Sequence, residues 1–282
     1  MKVSVSIVTF QQVAFIRQAV ESALDQIADF PFEVIVGDDA STDGTRETLV
    51  ELQQAAPDRL KLVLAPRNYG DFGLSNVMAT IDSAAGEYIA FLDGDDYWTS
   101  RDKLQRQVDF MDAHPDCAIS AHRVEHVAEG GSQGLSVRPG ETGELWGFER
   151  LLMVNFTPKS ATMIRRSALA HLPDWYRSTE ISSAAWLFNL LIANGGRIGF
   201  IDEVMAAHRV HEQSVTAHYG SDRMLSDKLA VYDALEPVVP QHRRALGAAR
   251  RRVYLKLYAS RYVPGGFDVA RRVFNRLSAR RR

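Results

Sequence analysis

Cysteine is almost absent from this chain. Cys117 is the only one in 282 residues, so no intrachain disulfide can form, and a reducing compartment is the simpler context. The N-terminus runs straight into Val3-Ser4-Val5-Ser6-Ile7-Val8 and lacks the charged, apolar and cleavage regions of a signal peptide. No apolar run is long enough to cross a bilayer. The expectation is a cytoplasmic chain, soluble or peripheral at the inner face of a membrane. Internal repeats are missing, and so are low-complexity tracts apart from the terminal arginines. Hydrophobic residues at 46% and charged residues at 24% imply a packed core and exclude global disorder.

Net charge is also scarce, at −2, but it is unevenly spread. Residues 243–282 hold 13 Lys/Arg against one acid, Asp268. The rest keeps 20 of the 33 basic and 34 of the 35 acidic side chains, a net of −14. A basic tail attracts anionic surfaces; a solvated helix face with a frayed end is an equal alternative. The last helical stretch puts Phe267, Ala270, Phe274 and Leu277 on one face and Arg271, Arg272, Arg276 and Arg280 elsewhere. That pattern suggests peripheral membrane contact or an anionic acceptor such as a lipid-linked phosphate. A homodimer through the same helices is another arrangement they allow. No nucleic-acid partner is expected.

The length suits one large α/β domain with a helical appendage. Val3–Thr9, Glu33–Gly37, Leu60–Ala65 and Glu87–Leu92 read as strands. Between them, apolar residues recur at helical spacing, as in Ile16, Val20, Ala23 and in Leu74, Val77, Met78, Ile81. This alternation predicts a three-layer α/β sandwich with a mostly parallel sheet, plus C-terminal helices. Lys103–Ala113 and Ala184–Ala193 read as further helices, Arg197–Val204 as a strand and Gly130–Gly143 as a mobile loop. The expected division is a ligand-binding half at 1–115, a second half of the same domain at 116–220 and a basic helical extension at 221–282.

In such sheets ligands sit beyond the carboxyl ends of the strands. Those ends are Thr9-Phe10, Asp38-Asp39 and Asp93-Gly94-Asp95-Asp96. Three carboxylates within four residues repel unless a cation lies among them. Oxygen ligands suit Mg²⁺ or Mn²⁺, which also bridge pyrophosphate oxygens, and Gly94 lets backbone approach a ligand. An acidic turn with a solvated face is the alternative. Asp39 can accept a hydrogen bond from a base N–H or a ribose hydroxyl, whereas Ser41 and Asp43 read as helix caps.

Taken together, five segments resemble family 2 inverting glycosyltransferases with the A-type (GT-A) fold. They are Val5–Phe10, Glu33–Thr45, Asn68-Tyr69-Gly70, Ala85–Asp96 and Ala207-His208-Arg209-Val210-His211, in the family's order. The resemblance covers roughly residues 3–215. It implies a nucleoside-diphosphate sugar donor and transfer to an acceptor hydroxyl by a metal-assisted single displacement. Thr9, Phe10 and Asp39 would hold the base and ribose. Asp93, Asp95 and Asp96, with Gly94 among them, would form the region that holds ribose and metal, and Arg209 and His211 would lie near the diphosphate. Asp95, Asp96 and His211 would ligate Mn²⁺ or Mg²⁺. An Asp facing the base suits the N–H of uracil or thymine, which favours UDP, with dTDP next.

One position departs from the family. An aspartate acting as catalytic base is expected just before an aromatic residue at the start of a helix. The sequence there reads Glu180-Ile181-Ser182-Ser183-Ala184-Ala185-Trp186, with Ala185 in its place. Either the chain is a base-to-alanine variant or a nearby carboxylate, Glu180 or Asp174, serves instead. Two other readings stay open: a catalytically inactive nucleotide-sugar-binding protein, and a sugar-1-phosphate nucleotidyltransferase. The latter would want a glycine-rich, lysine-containing loop after the first strand, which residues 8–16 lack. Trp175 and Tyr176, with Phe156–Ser160, are candidates for the acceptor side. The acceptor hydroxyl would belong to a glycan, a lipid-linked saccharide, a peptide or a small molecule.

Overall fold

A computed structural model describes residues 1–140, 144–211 and 221–262. The chain forms two compact units: Met1–Glu180 with Ala184–His211, and Ile181–Ser183 with Glu212–Arg282. The expected apolar face at Phe267–Leu277 lies outside the described residues.

The first unit opens with β1 (Val3–Thr9), α1 (Ile16–Leu24), β2 (Phe32–Asp38), α2 (Thr45–Ala55), β3 (Leu60–Leu64), α3 (Leu74–Asp82) and β4 (Tyr88–Asp93). All seven β1 residues are buried, with no alternation, because helices cover both faces of a parallel strand. Its two serines are satisfied internally: Ser4 Oγ donates to Glu33 (2.7 Å), and Ser6 Oγ shares a 2.6 Å bond with Thr80 Oγ1. Ile16, Ala19, Val20 and Ala23, spaced i, i+3, i+4, i+7, bury the inner stripe of α1. At Gly37 an added Cβ would meet Asn76 Oδ1 at 2.2 Å, so a side chain there would push α3 off β2.

The chain continues through β5 (Tyr97–Trp98), α4 (Lys103–Ala113), β6 (Cys117–Ala128), β7 (Gly131–Leu135), β8 (Leu145–Trp146) and α5 (Phe148–Met153). Then follow β9 (Met163–Arg165), α6 (Ala184–Ala193) and β10 (Arg197–Arg209). The ten strands make one sheet in the order β3-β2-β1-β4-β9-β6-β10-β5, with β7 on β6 and β8 on β10. β3-β2-β1-β4 is parallel throughout, as is β6-β10; β9 runs antiparallel between the two blocks. Two local expectations change. Gly131–Leu135 is a strand paired to β6 rather than loop, and β10 runs on to Arg209. Exposed, glycine-rich β7 has no apolar alternation to betray it.

The order of the parallel block creates the site. The chain steps from β1 out to β2 and β3, then returns to β4 on the other side of β1, leaving a crevice at their carboxyl ends. Register fixes the level: Thr9 lies opposite Asp38, and Val8 opposite Asp93. The second unit contains α7 (Ser221–Leu235) and α8 (Arg243–Tyr262), packed on each other. Among the described residues no helix is long and apolar enough to cross a membrane.

Candidate active site

The β1–α1 loop forms the floor of the crevice. Gln11 adopts a positive φ of 55°, and Ala40, at the end of β2, one of 61°. Such strain in non-glycine residues persists only where surroundings enforce it. Here they do. Gln11 N donates to Ser41 Oγ (2.9 Å), Gln12 N to Thr45 Oγ1 (3.0 Å) and Val13 N to Asp43 Oδ2 (3.0 Å). Ser41 and Asp43 therefore clamp the neighbouring loop, beyond the capping role the sequence suggests. Asp43 also accepts from Thr45 N (3.0 Å) at the start of α2.

The two acids ending β2 are distinct. Asp38 is fully buried against Arg46 (2.7 Å). Asp39 accepts from Asn68 Nδ2 (2.9 Å) and Tyr69 N (3.0 Å), while its own amide donates to Thr9 O (3.1 Å). Burial raises the Asp39 carboxyl above its ordinary range, and the Tyr69 amide only partly opposes this. Asn68-Tyr69 thus meets Asp39 in space. Thr9 is buried and donates to Gln12 (2.8 Å), whereas Phe10 is 45% exposed. At Gly94 a Cβ would meet Gln12 Oε1 at 2.5 Å and Thr9 at 2.8 Å, so glycine seats the acidic turn on this floor.

The acids ending β4 differ again. Side-chain exposure falls from 33% at Asp93 to 15% at Asp95 and none at Asp96. Lys159 Nζ holds Asp93 at 2.6 Å. Asp96 binds the Ser160 hydroxyl, His208 Nδ1 (3.1 Å) and the Arg209 amide (3.0 Å), latching the turn to β10. The hydrogen bond with Asp96 raises the His208 pKa to about 8, against the effect of burial. Asp95 meets His211 Nε2 at 3.0 Å. Burial, then the charges of Asp93 and Asp96, push its carboxyl above the usual range. Of the two carboxylates expected to ligate metal, Asp95 is thus the one that keeps some exposure.

Arg209 is held as a prop. Its guanidinium donates to the Asp95 carbonyl (2.5 Å) and to Gln18, and lies 4.5 Å from the Tyr97 ring and 5.1 Å from Phe15. Phe15 also packs on His211, with ring centroids 5.0 Å apart. β5 pairs with Ala206 and Ala207 of β10, which fixes this arrangement. Sequence reasoning missed Gln12, Phe15, Gln18, Tyr97 and His208 as partners here. The helical spacing of α1 offered only its buried face, and nothing local ties Lys159 to an acid 66 residues earlier.

Ala185 is exposed on the first turn of α6, and Glu180 and Asp174 are exposed as well. Asp174 lines a cavity of about 470 Å³ with Asp82, Arg166 and Arg177. That cavity lies at the C-terminal end of α3, which leads into the start of β4, away from Asp93. Tyr176 is buried and its hydroxyl donates to Ala184 O (3.0 Å), whereas Trp175 is 38% exposed. Among the described residues, no three His, Cys, Asp or Glu form a complete metal cage. Asp95 and His211 instead offer one oxygen and one nitrogen at a spot with excess negative charge. That suits a cation which takes its other ligands from a diphosphate and water.

Residues 4–172 match Glycosyl transferase family 2. The chain belongs to this glycosyltransferase family. A Mycobacterium tuberculosis protein described only as uncharacterised is 30% identical over 221 residues, 78% of this chain and 62% of that protein. The chain therefore spans under two thirds of that relative's length. The family member's fold is GT-A. It superposes on Staphylococcus aureus TarS 1–349 in complex with UDP-GlcNAc with a TM-score of 0.72 at 21% identity, over 96% of this chain and 79% of that one. The mannosyltransferase PcManGT of Pyrobaculum calidifontis, in complex with GDP-Man and Mn²⁺, gives 0.63 at 19% identity, over 99% and 75%.

Proposed function

We propose that this chain binds a nucleoside-diphosphate sugar, UDP ahead of dTDP, and is built to transfer the sugar to an acceptor hydroxyl with inversion. The observation that carries the reading is Asp95, whose charge is crowded by burial and two neighbouring aspartates at the level of Thr9 and Asp39. Residues 1–115 serve the donor and 116–220 the acceptor, with 221–282 as an extension. Thr9, Phe10 and Asp39 take the base and ribose on one side of β1. Asp93, Gly94 and Asp95 take the ribose and diphosphate on the other.

A divalent cation bound by Asp95 and His211 would offset the charge that develops on the departing diphosphate. The imidazole nitrogen favours Mn²⁺ over Mg²⁺. Asp96 acts through β10, holding His208 and Arg209 in place. Lys159 keeps a cation beside Asp93. The complexes of TarS with UDP-GlcNAc and of PcManGT with GDP-Man and Mn²⁺ support the donor and metal classes.

Position 185 is where the base belongs, and its methyl group takes no proton. Donor binding is therefore expected intact and transfer weak. Ala185→Asp should raise donor turnover at least about a hundredfold, the low end for a general base. Unchanged turnover in that variant would favour a second reading, a nucleotide-sugar-binding protein without catalysis. A thermal-shift panel of UDP, dTDP, GDP and CDP, each with and without Mn²⁺, tests the donor site itself. Stabilisation by one nucleotide only with metal is the expected result. No shift with any of them overturns the proposal.

A further inference from the structure

Among the described residues, helix α8 carries one buried apolar stripe and a second that is exposed. Leu246, Ala249 and Val253 are at most 5% exposed. Arg250 ties the same side to Asp233 of α7 (2.6 Å) and to Glu236 just after it (2.9 Å). On the outer side Tyr254 is 55% exposed, Leu255 59% and Tyr258 64%. Arg244, Ala248, Arg251, Leu255 and Tyr258 follow one another at spacings of four, three, four and three, which is one continuous helical stripe. The helix contains seven Lys/Arg and no acid, and Arg243, Arg244 and Arg251 are exposed.

We propose that this outer face of α8 docks on an anionic lipid surface, independently of the donor chemistry. A leucine flanked by tyrosines, with arginines alongside, matches the boundary between acyl chains and headgroups. There the apolar parts insert, the tyrosine hydroxyls stay wet and the guanidinium groups reach lipid phosphates. Charge decides the occupant. Two copies of a face that carries cations and no acid would repel across a symmetric contact. A soluble polyanion would use the arginines but has no place for Leu255 and Tyr254. The apolar face expected at Phe267–Leu277 lies outside the described residues, and α8 offers another among them.

The test is flotation of the full 282-residue chain with vesicles of phosphatidylcholine alone and of equal parts phosphatidylcholine and phosphatidylglycerol. The chain should float with the anionic vesicles only, and less so in high salt. Tyr254→Ser with Leu255→Ser should lower the partition coefficient about tenfold or more, from the apolar area removed. Arg244→Glu with Arg251→Glu should do the same, from charge reversal. All four side chains are exposed, so an unchanged unfolding temperature verifies that each variant is folded. Absence from the anionic fraction overturns the proposal. So does a Tyr254→Ser/Leu255→Ser variant that floats like the parent, because binding would then be purely electrostatic. A dimer in light scattering that this variant dissociates would instead make the face a self-contact and would equally overturn the proposal.

Discussion

Asp38, ending β2, is sealed against Arg46, and its neighbour Asp39 is gripped by Asn68 and the Tyr69 amide. At the end of β4, among the described residues, Asp93 pairs with Lys159, Asp96 with His208 and Asp95 with His211. Both regions are acidic pairs or triplets directly after a buried apolar strand. One spends its charge on holding loops together, while the other keeps a surplus. The comparison teaches that the number of acids at a strand end does not locate a cation site. On the proposed reading the cation goes to Asp95, whose partner is a histidine and whose charge Asp93 and Asp96 crowd.

The largest stability effect should come from the sealed end. Asp38→Asn breaks a pair whose acid is fully buried. It should cost about 3 kcal/mol, the low end for such pairs, because Arg46 stays partly hydrated. Chemical denaturation measures this, and a loss under about 1 kcal/mol would erase the contrast between the two ends.

Next is Lys103, behind β5. It is fully buried, its Nζ lacks a hydrogen-bond partner, and it lies 3.8 Å from the centroid of the Trp98 ring. Burial pulls its pKa well below the ordinary lysine range. Lys103→Met should then stabilise the protein by about 1 kcal/mol or more; destabilisation would show that the ammonium is needed.

A similar or smaller effect depends on pH. Asp96 raises the His208 pKa from 6.5 to about 8. The protonated pair's contribution is complete below pH 6.5 and lost as pH rises through 8. It should be about 1 kcal/mol after solvent screening of the partly exposed imidazole. His208→Gln should flatten the dependence of the denaturation midpoint in that window. The smallest effect belongs to Asp95→Asn without ligands, within about 0.5 kcal/mol and towards stabilisation, since it relieves repulsion.

Much of this was legible beforehand. The strand–helix alternation gave the parallel block, and the rule on strand ends gave Thr9, Asp39 and Asp93–Asp96, which register brings to one level. The partners of those residues were not legible. Lys159, Ser160, His208 and Arg209 reach the turn from β10 and from the segment before β9, through non-local pairings without periodicity. Gln18 lies on the outward side of α1, which amphipathicity assigns to solvent, and Phe15 just precedes the helix. Likewise, the exposed stripe of α8 is hidden in a sequence whose apolar residues all look available for core.

The central claim is that Asp95 recruits a cation which the nucleotide then shares. Isothermal titration of UDP into the unaltered chain and into Asp95→Asn, each with Mn²⁺ and with chelator, addresses it most directly. The account predicts that Mn²⁺ tightens UDP binding at least about tenfold in the unaltered chain, or about 1.4 kcal/mol, and leaves binding by Asp95→Asn unchanged. Equal affinity with and without Mn²⁺, or the same metal response in both proteins, would contradict it.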